Sequence, residues 1–388
     1  MSKSAKTQPF IYPDQVTWVD TPDQLHQLTT TLLNEPLVAV DTEADSLYSY
    51  FEKVCLIQFS TPTADFLVDP LTVDVSGLAP LFAGQLTQKI FHAAEYDILS
   101  LKRDYGFTFA NLFDTMIAAR ILGWERYGLG ALLESHFNIK LDKRFQRYNW
   151  GKRPIGAKAL AYAQLDTHYL LPLRQIQLAQ LKNQNRLREA TEAFERETQV
   201  EPSPKIFDPD DFWRIKGARE FSPQQQAILR ELFILRDKIA RKIDRPPFKV
   251  MNDSTLIQIT RVLPNHLRDL ELIKGIGEKL IQHNGAELLQ AVRQGQTAPP
   301  PQYHSNHHHS PDNNTLNRYE TLRQWRNSVA AQRGVEPDVI LTNNNLMDIA
   351  RKNPKSLNAL ENMGILGNWQ YERYGKTLLK VLKDTARY

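Results

Sequence analysis

Apolar positions in the first 200 residues fall into short runs before they take up a helical period. "LVAVD" at 37–41, "VCLIQF" at 54–59 and "DFLVD" at 65–69 are rich in β-branched and aromatic residues and are separated by turn-length segments. That pattern predicts strands of an antiparallel meander. "KIFHA" at 89–93 predicts a fourth strand. After it, "AEYDILSLKRDYG", "LFDTMIAARILG", "LGALLESHF" and "AKALAYAQLDTHYLLPLRQIQLAQL" carry apolar residues at helical spacing. Pro172 is expected to kink or interrupt the last of these. Strands followed by helices able to cover both faces predict one sheet-centred α/β domain.

From about Phe212 the pattern is almost wholly helical. "LRDKIARKIDRPPFKVMNDSTLIQITRVLP" from Leu235 and "WRNSVAAQRGVEPDVILTNNNLMDIARKNP" from Trp325 resemble each other. Arg236 and Arg326, Pro247 and Pro337, Leu256 and Leu346, and Gly285 and Gly375 all pair at one fixed offset. So long a period means a duplicated small domain rather than a solenoid. "QTAPPPQYHSNHHHSPDNN" between the copies has no apolar period and is expected to be a linker. His307–His309 lie on it, and three adjacent histidines on a spacer fix no coordination geometry. The expected organisation is an extension over 1–14, the α/β domain over 15–200, helical domains over 212–295 and 316–388, and a linker over 296–315.

Composition narrows the class. Apolar content of 41% and charged content of 24% are those of a globular protein. No run of eighteen apolar residues is present, so no membrane span is expected, and "MSKSAKTQPF" lacks a secretory core. Cys55, the only cysteine, is expected to be a buried core residue and suits a reducing cytoplasm. The net charge of +4 hides an uneven distribution: −9 over residues 1–100, +6 over 101–200 and +7 over 201–388. An acidic start followed by basic segments fits a metal–carboxylate centre beside surfaces that attract a polyanion, and fits ordinary scatter equally well.

The acids decide between these readings. In "VAVDTEADSL", Asp41 and Glu43 alternate along a strand and so project together, while Thr42 points away. Asp97 lies in the first turns of the helix after "KIFHA". Tyr162 and Asp166, four apart, share one helix face. Clustered carboxylates repel unless cations neutralise them, and an all-oxygen set selects Mg²⁺ or Mn²⁺. Two such ions, about 3.5–4 Å apart, can activate water and stabilise a leaving oxygen in phosphoryl displacement. The Tyr162 phenol, with an ordinary pKa of about 10, is suited to orienting water rather than to acting as a base.

D-T-E at 41–43, H-A-x-x-x-D ending at Asp97 and Y-A-x-x-D-x-x-Y-L-L from Tyr162 resemble the three motifs of the DEDD exonucleases, in the branch that carries Tyr four residues before the last Asp. "LFDTMIAARILG", "YGLGALLESHFNIKLDK" and "NWGKRPI" are similar to ribonuclease D, and the two repeats to the HRDC module. Asn149 and Ala44 depart from the residues frequent there. The resemblance implies a ribonuclease H-like fold over 15–200 and 3′→5′ exoribonuclease activity. It also implies 3′ trailers of tRNA precursors as substrates and nucleoside 5′-monophosphates as products. Asp41, Glu43, Asp97 and Asp166 correspond to the family's metal ligands and Tyr162 to its water-orienting tyrosine.

RNA contacts are expected from Gln58 and His92 beside the motifs, and from Arg147, Trp150, Lys152 and Arg153 in "KRFQRYNWGKRP". There cations alternate with aromatics, as in proteins that grip single strands. Asp45 and Glu95 are expected to be solvated, and Asp114 to cap a helix. The chain is expected to act as a monomer. A DNA 3′→5′ exonuclease with the same carboxylates, or a non-catalytic RNA-binding protein, are the alternatives.

Overall fold

The computed structural model describes residues 16–303 and 311–385, so the extension 1–14 and His307–His309 lie outside the described residues. Six strands form one sheet: β1 (Val16–Val19), β2 (Leu37–Ala44), β3 (Val54–Ser60), β4 (Asp65–Val68), β5 (Gln88–Phe91) and β6 (Leu112–Asp114). Their order is β1-β4-β3-β2-β5-β6. β3 and β4 pair antiparallel, with Ile57 opposite Val68. β1 joins β4, β5 joins β2 and β6 joins β5 in parallel. The sheet is therefore mixed.

Helices α1 (Pro22–Asn34), α2 (Ala79–Ala83), α3 (Glu95–Tyr105), α4 (Thr115–Leu122), α5 (Leu129–Phe137), α6 (Ala157–His168), α7 (Leu170–Asn183) and α8 (Leu187–Glu197) accompany it. Every residue of β3 is buried. Ile57 and Phe59 face a core shared with Leu28 of α1 and Phe82 of α2, while Leu56 packs with Ala159 and Ala163 of α6. A strand covered on both faces reads as a continuous apolar run, as "VCLIQF" does. Pro172 falls in the first turn of α7, where its missing N–H costs nothing, and the predicted long helix breaks at Tyr169. "LFD" is strand rather than helix. Asp114 ends β6 and caps α4 by accepting from the Met116 and Ile117 amides.

Two helical modules follow, each with its own core. The first holds α9 (Pro223–Lys242), α10 (Pro247–Val250), α11 (Asp253–Val262), α12 (Leu267–Glu271) and α13 (Glu278–Thr297). The second holds α14 (Asn313–Arg333), α15 (Pro337–Ile340), α16 (Asn343–Lys352), α17 (Leu357–Glu361) and α18 (Asn368–Thr385). The repeat is structural to the side-chain level. Arg236 donates to the Met251 carbonyl (3.2 Å) and Asp253 (2.7 Å), and Arg326 to the Leu341 carbonyl (2.9 Å) and Asn343 (2.8 Å). Phe212, Ile215 and Ala218 belong to the first module's core.

The described residues divide into two compact units. One takes in the residues up to Glu43, Val54–Pro202 and those from 311 on; the other takes in Ala44–Lys53 and those from Ser203. The second module is thus part of the sheet's unit. Arg333 pairs with Glu189 at 2.5 Å, Arg188 with Glu372 at 2.6 Å and Arg120 with Asp338 at 2.5 Å. At Gly123, φ +78, an added Cβ would lie 2.0 Å from the Gly334 carbonyl oxygen, so backbone meets backbone there.

Candidate active site

Alternation along β2 puts Asp41 and Glu43 on one face of the sheet. The α6 helix crosses that face, held against β3 by the Ser60 and Thr167 hydroxyls at 2.7 Å. One helical turn on from Tyr162, Asp166 comes into line. Asp41, Glu43 and Asp166 each offer an oxygen within 4.8 Å of the others. Asp97 enters from the first turn of α3 and accepts from the Thr42 amide at 3.0 Å and from the Thr42 hydroxyl. The residue that points away from Asp41 and Glu43 thereby anchors the second motif. Tyr162 donates its phenol to Asp166. All five side chains line one cavity of about 710 Å³.

Electrostatics of the cluster are dominated by burial. Asp41 is raised well above the carboxylate range by desolvation, then by Asp97, Asp166 and Glu43. Glu43 is raised likewise, by desolvation and then by Asp166 and Asp97. Desolvation lifts Asp166 to about 8, with Asp97 adding to it and the Tyr162 hydrogen bond opposing. Asp97 reaches about 7, desolvation outweighing its two Thr42 hydrogen bonds. Burial and the neighbouring carboxylates raise the Tyr162 phenol above its ordinary value, so it stays protonated. Acids in this state favour any cation that can replace their protons. The donors are all hard oxygens, and they fit a divalent ion such as Mg²⁺.

Of the expected RNA contacts, His92 lines the cavity and its Nδ1 lies 2.8 Å from the Thr115 hydroxyl. Three others are corrected. Gln58 is fully buried because β3 is covered on both faces, so it cannot reach a nucleotide. Trp150 is 1% exposed and packs with Tyr148 and Tyr162. Arg153 is a brace: its guanidinium bonds both Asp69 oxygens at 2.6 Å and the carbonyls of Cys55 and Trp150 at 2.7 and 2.6 Å. Arg147 and Lys152 are exposed but do not line the cavity. Asp45, expected to be solvated, is 2% exposed and closes a loop. Sequence reasoning passed over Arg126, Lys140 and Gln146, which line the cavity together with Lys143. Lys143 and Gln146 belong to the "KRFQR" run; Arg126 and Lys140 flank α5, with no periodicity to single them out.

Residues 16–182 match the 3′-5′ exonuclease family model, and 225–292 and 315–382 each match the HRDC domain. The catalytic core of RRP6 from Trypanosoma brucei is 32% identical, with a TM-score of 0.69 over 74% of this chain and 83% of that one. The chain belongs to the RRP6 and ribonuclease D type of 3′–5′ exonucleases. Ribonuclease D of Bartonella henselae is 28% identical over 91% of this chain and 86% of its own length. The exosome complex exonuclease RRP6 of Saccharomyces cerevisiae is 32% identical over 69% of this chain. This chain spans only 39% of that yeast protein, and 29% of the Caenorhabditis elegans exosome complex component 10 homolog. Its mixed sheet with flanking helices, followed by paired HRDC domains, is the architecture the motifs implied. No described helix is long and apolar enough to cross a membrane.

Proposed function

We propose that the chain is a metal-dependent 3′→5′ exoribonuclease that trims RNA ends, with the nuclease assigned to 15–200 and the helical modules to 212–295 and 316–388. The observation that carries this reading is the approach of Asp41, Glu43 and Asp166 to within 4.8 Å beside Asp97 and Tyr162 in one open cavity. Asp41, Glu43, Asp97 and Asp166 are the residues that would hold two divalent ions, Mg²⁺ or Mn²⁺. Bound there, such ions neutralise the carboxylates, activate water and stabilise the leaving oxygen.

The chain's own groups do the rest. Tyr162, kept protonated, orients the attacking water while its hydroxyl stays tied to Asp166. The water oxygen bonds to phosphorus, the bond to the upstream 3′-oxygen breaks, and that oxygen leaves with a proton. A nucleoside 5′-monophosphate is released. Arg126, Lys140 and Lys143 supply positive charge along the wall, suited to the phosphates of the entering strand. Precursor tRNAs with single-stranded 3′ trailers are the substrate class that the family resemblance favours. A monomer in the cytoplasm completes the reading, consistent with the one buried cysteine.

Asp166→Asn tests it. The variant is expected to keep its fold and RNA affinity and to lose Mg²⁺-dependent release of mononucleotides from an end-labelled RNA by at least about a thousandfold. Turnover near the wild-type rate would overturn the assignment. Parallel digestion of DNA of the same sequence separates ribonuclease from deoxyribonuclease.

A further inference from the structure

The chain leaves the strand of Asp41 and Glu43 through Ala44–Lys53, and this loop is built as part of the first helical module's unit. It is closed on itself around the buried Asp45. The Lys53 amide donates to Asp45 at 2.9 Å, the Ser49 hydroxyl to the other carboxylate oxygen at 2.6 Å, and the Tyr48 amide to the Asp45 carbonyl at 2.7 Å. Tyr50 then pins it to the end of α9. Its hydroxyl donates to Asp237 at 2.6 Å and accepts from Arg241 at 3.2 Å, its amide donates to Asp244 at 2.9 Å, and its carbonyl accepts from Lys205 at 2.8 Å.

What this rigid loop presents is unusual. Phe51 is 59% exposed and Phe248, on α10, is 51% exposed. The Arg241 guanidinium lies 6.0 Å from the Phe51 ring centre, and the Lys249 ammonium lies 5.8 Å from that of Phe248 and 5.7 Å from that of Tyr48. Lys238, Arg241, Lys242, Arg245 and Lys249 are all exposed, whereas Asp45 and Asp237 are buried and Asp244 is engaged by the loop backbone. Asp244 is itself exposed and Glu52, beside Phe51, is half-buried, so exposed cations outnumber exposed acids on this surface. Solvent-facing rings set among outward cations are what a single strand needs, with bases stacking on rings and phosphates meeting charge. A protein partner would be served by the rings, but not by so one-sided a charge.

We propose that Phe51, Phe248, Arg241 and Lys249 form a second RNA site, a stacking platform for single-stranded nucleotides upstream of the scissile end. It rests on the exoribonuclease reading and adds a substrate subsite outside the catalytic cavity. Stacking gives it tolerance of sequence, and the loop's hydrogen bonds set the rings in place before RNA arrives.

The test uses the full chain and a fluorescent single-stranded RNA of about 12 nucleotides in EDTA, so that binding is read without hydrolysis. Phe51→Ala with Phe248→Ala is expected to weaken binding at least about tenfold. Arg241→Glu with Lys249→Glu should weaken it as much and flatten its salt dependence. With Mg²⁺, trinucleotide turnover should stay unchanged while KM for a long substrate rises by the same factor as Kd. Wild-type affinity in both folded double variants would overturn the platform and leave the patch to a protein contact. Weakened binding in a chain that hydrolyses no RNA would uphold the platform and sink only the nuclease reading.

Discussion

Burial, with the Asp114 charge adding, holds Asp97 at about 7, and burial with the Asp97 charge holds Asp166 at about 8, while Asp41 and Glu43 are also well above the usual carboxylate range. In the unfolded chain these acids ionise near their ordinary values of about 4. Between those limits the folded protein binds more protons than the unfolded one, so stability falls as pH rises from about 4 to about 8. Lys89, fully buried against two carbonyls and depressed to about 8, acts in the opposite sense: its contribution rises with pH above that value. The two effects thus occupy separate windows. Metal-free protein is expected to lose about 3–6 °C in Tm between about pH 5 and pH 8. Mg²⁺ should restore it at the higher pH and do much less at the lower one. Asp166→Asn should flatten the decline. Calorimetry across the range checks this, and a flat profile that ignores Mg²⁺ would speak against a cation site.

At the scale of elements, the loop between α5 and α6 shows what one side chain can organise. Arg153 ties that loop to Asp69, at the end of β4, and to the Cys55 carbonyl, and the Asp69 carboxylate is buried. Arg153→Ala strands that carboxylate and is expected to cost about 3 kcal/mol in urea unfolding, with affinity for RNA per folded molecule unchanged. A loss of RNA binding without a loss of stability would restore Arg153 as a contact. The loop was the part of the sequence most open to misreading. "KRFQRYNWGKRP" has the composition of a nucleic-acid grip, but composition does not say which side of an aperiodic loop faces the core, and Trp150 turned inward. Period was the better guide. Alternation put Asp41 and Glu43 together, a four-residue step aligned Tyr162 with Asp166, and both relations hold in the fold. The β-rich runs located β2 to β5, while β1 and β6, four and three residues long at the two edges, carried too little pattern to be seen.

Across the whole molecule, duplication has produced two modules with one scaffold and different attachments. Glu189 of α8 is 6% exposed and takes both terminal nitrogens of Arg333, which also reaches the Tyr374 hydroxyl at 2.7 Å. Glu189→Ala should leave that guanidinium half-paired and loosen the second module from the nuclease by about 3 kcal/mol. Hydrogen exchange would show it as lost protection at the ends of α8 and α14, and unchanged protection would mean that the ion pair is ornamental. The repeat offset makes a sharper comparison possible. Ninety residues before Arg333 and Asp338 stand Ile243 and Phe248, exposed by 54% and 51%. Were the first copy grafted into the place of the second, an isoleucine would confront Glu189 and a phenylalanine would confront Arg120. Two charges would lose their counterparts at once. Ancestry made the copies alike, but their succession along the chain cannot be reversed.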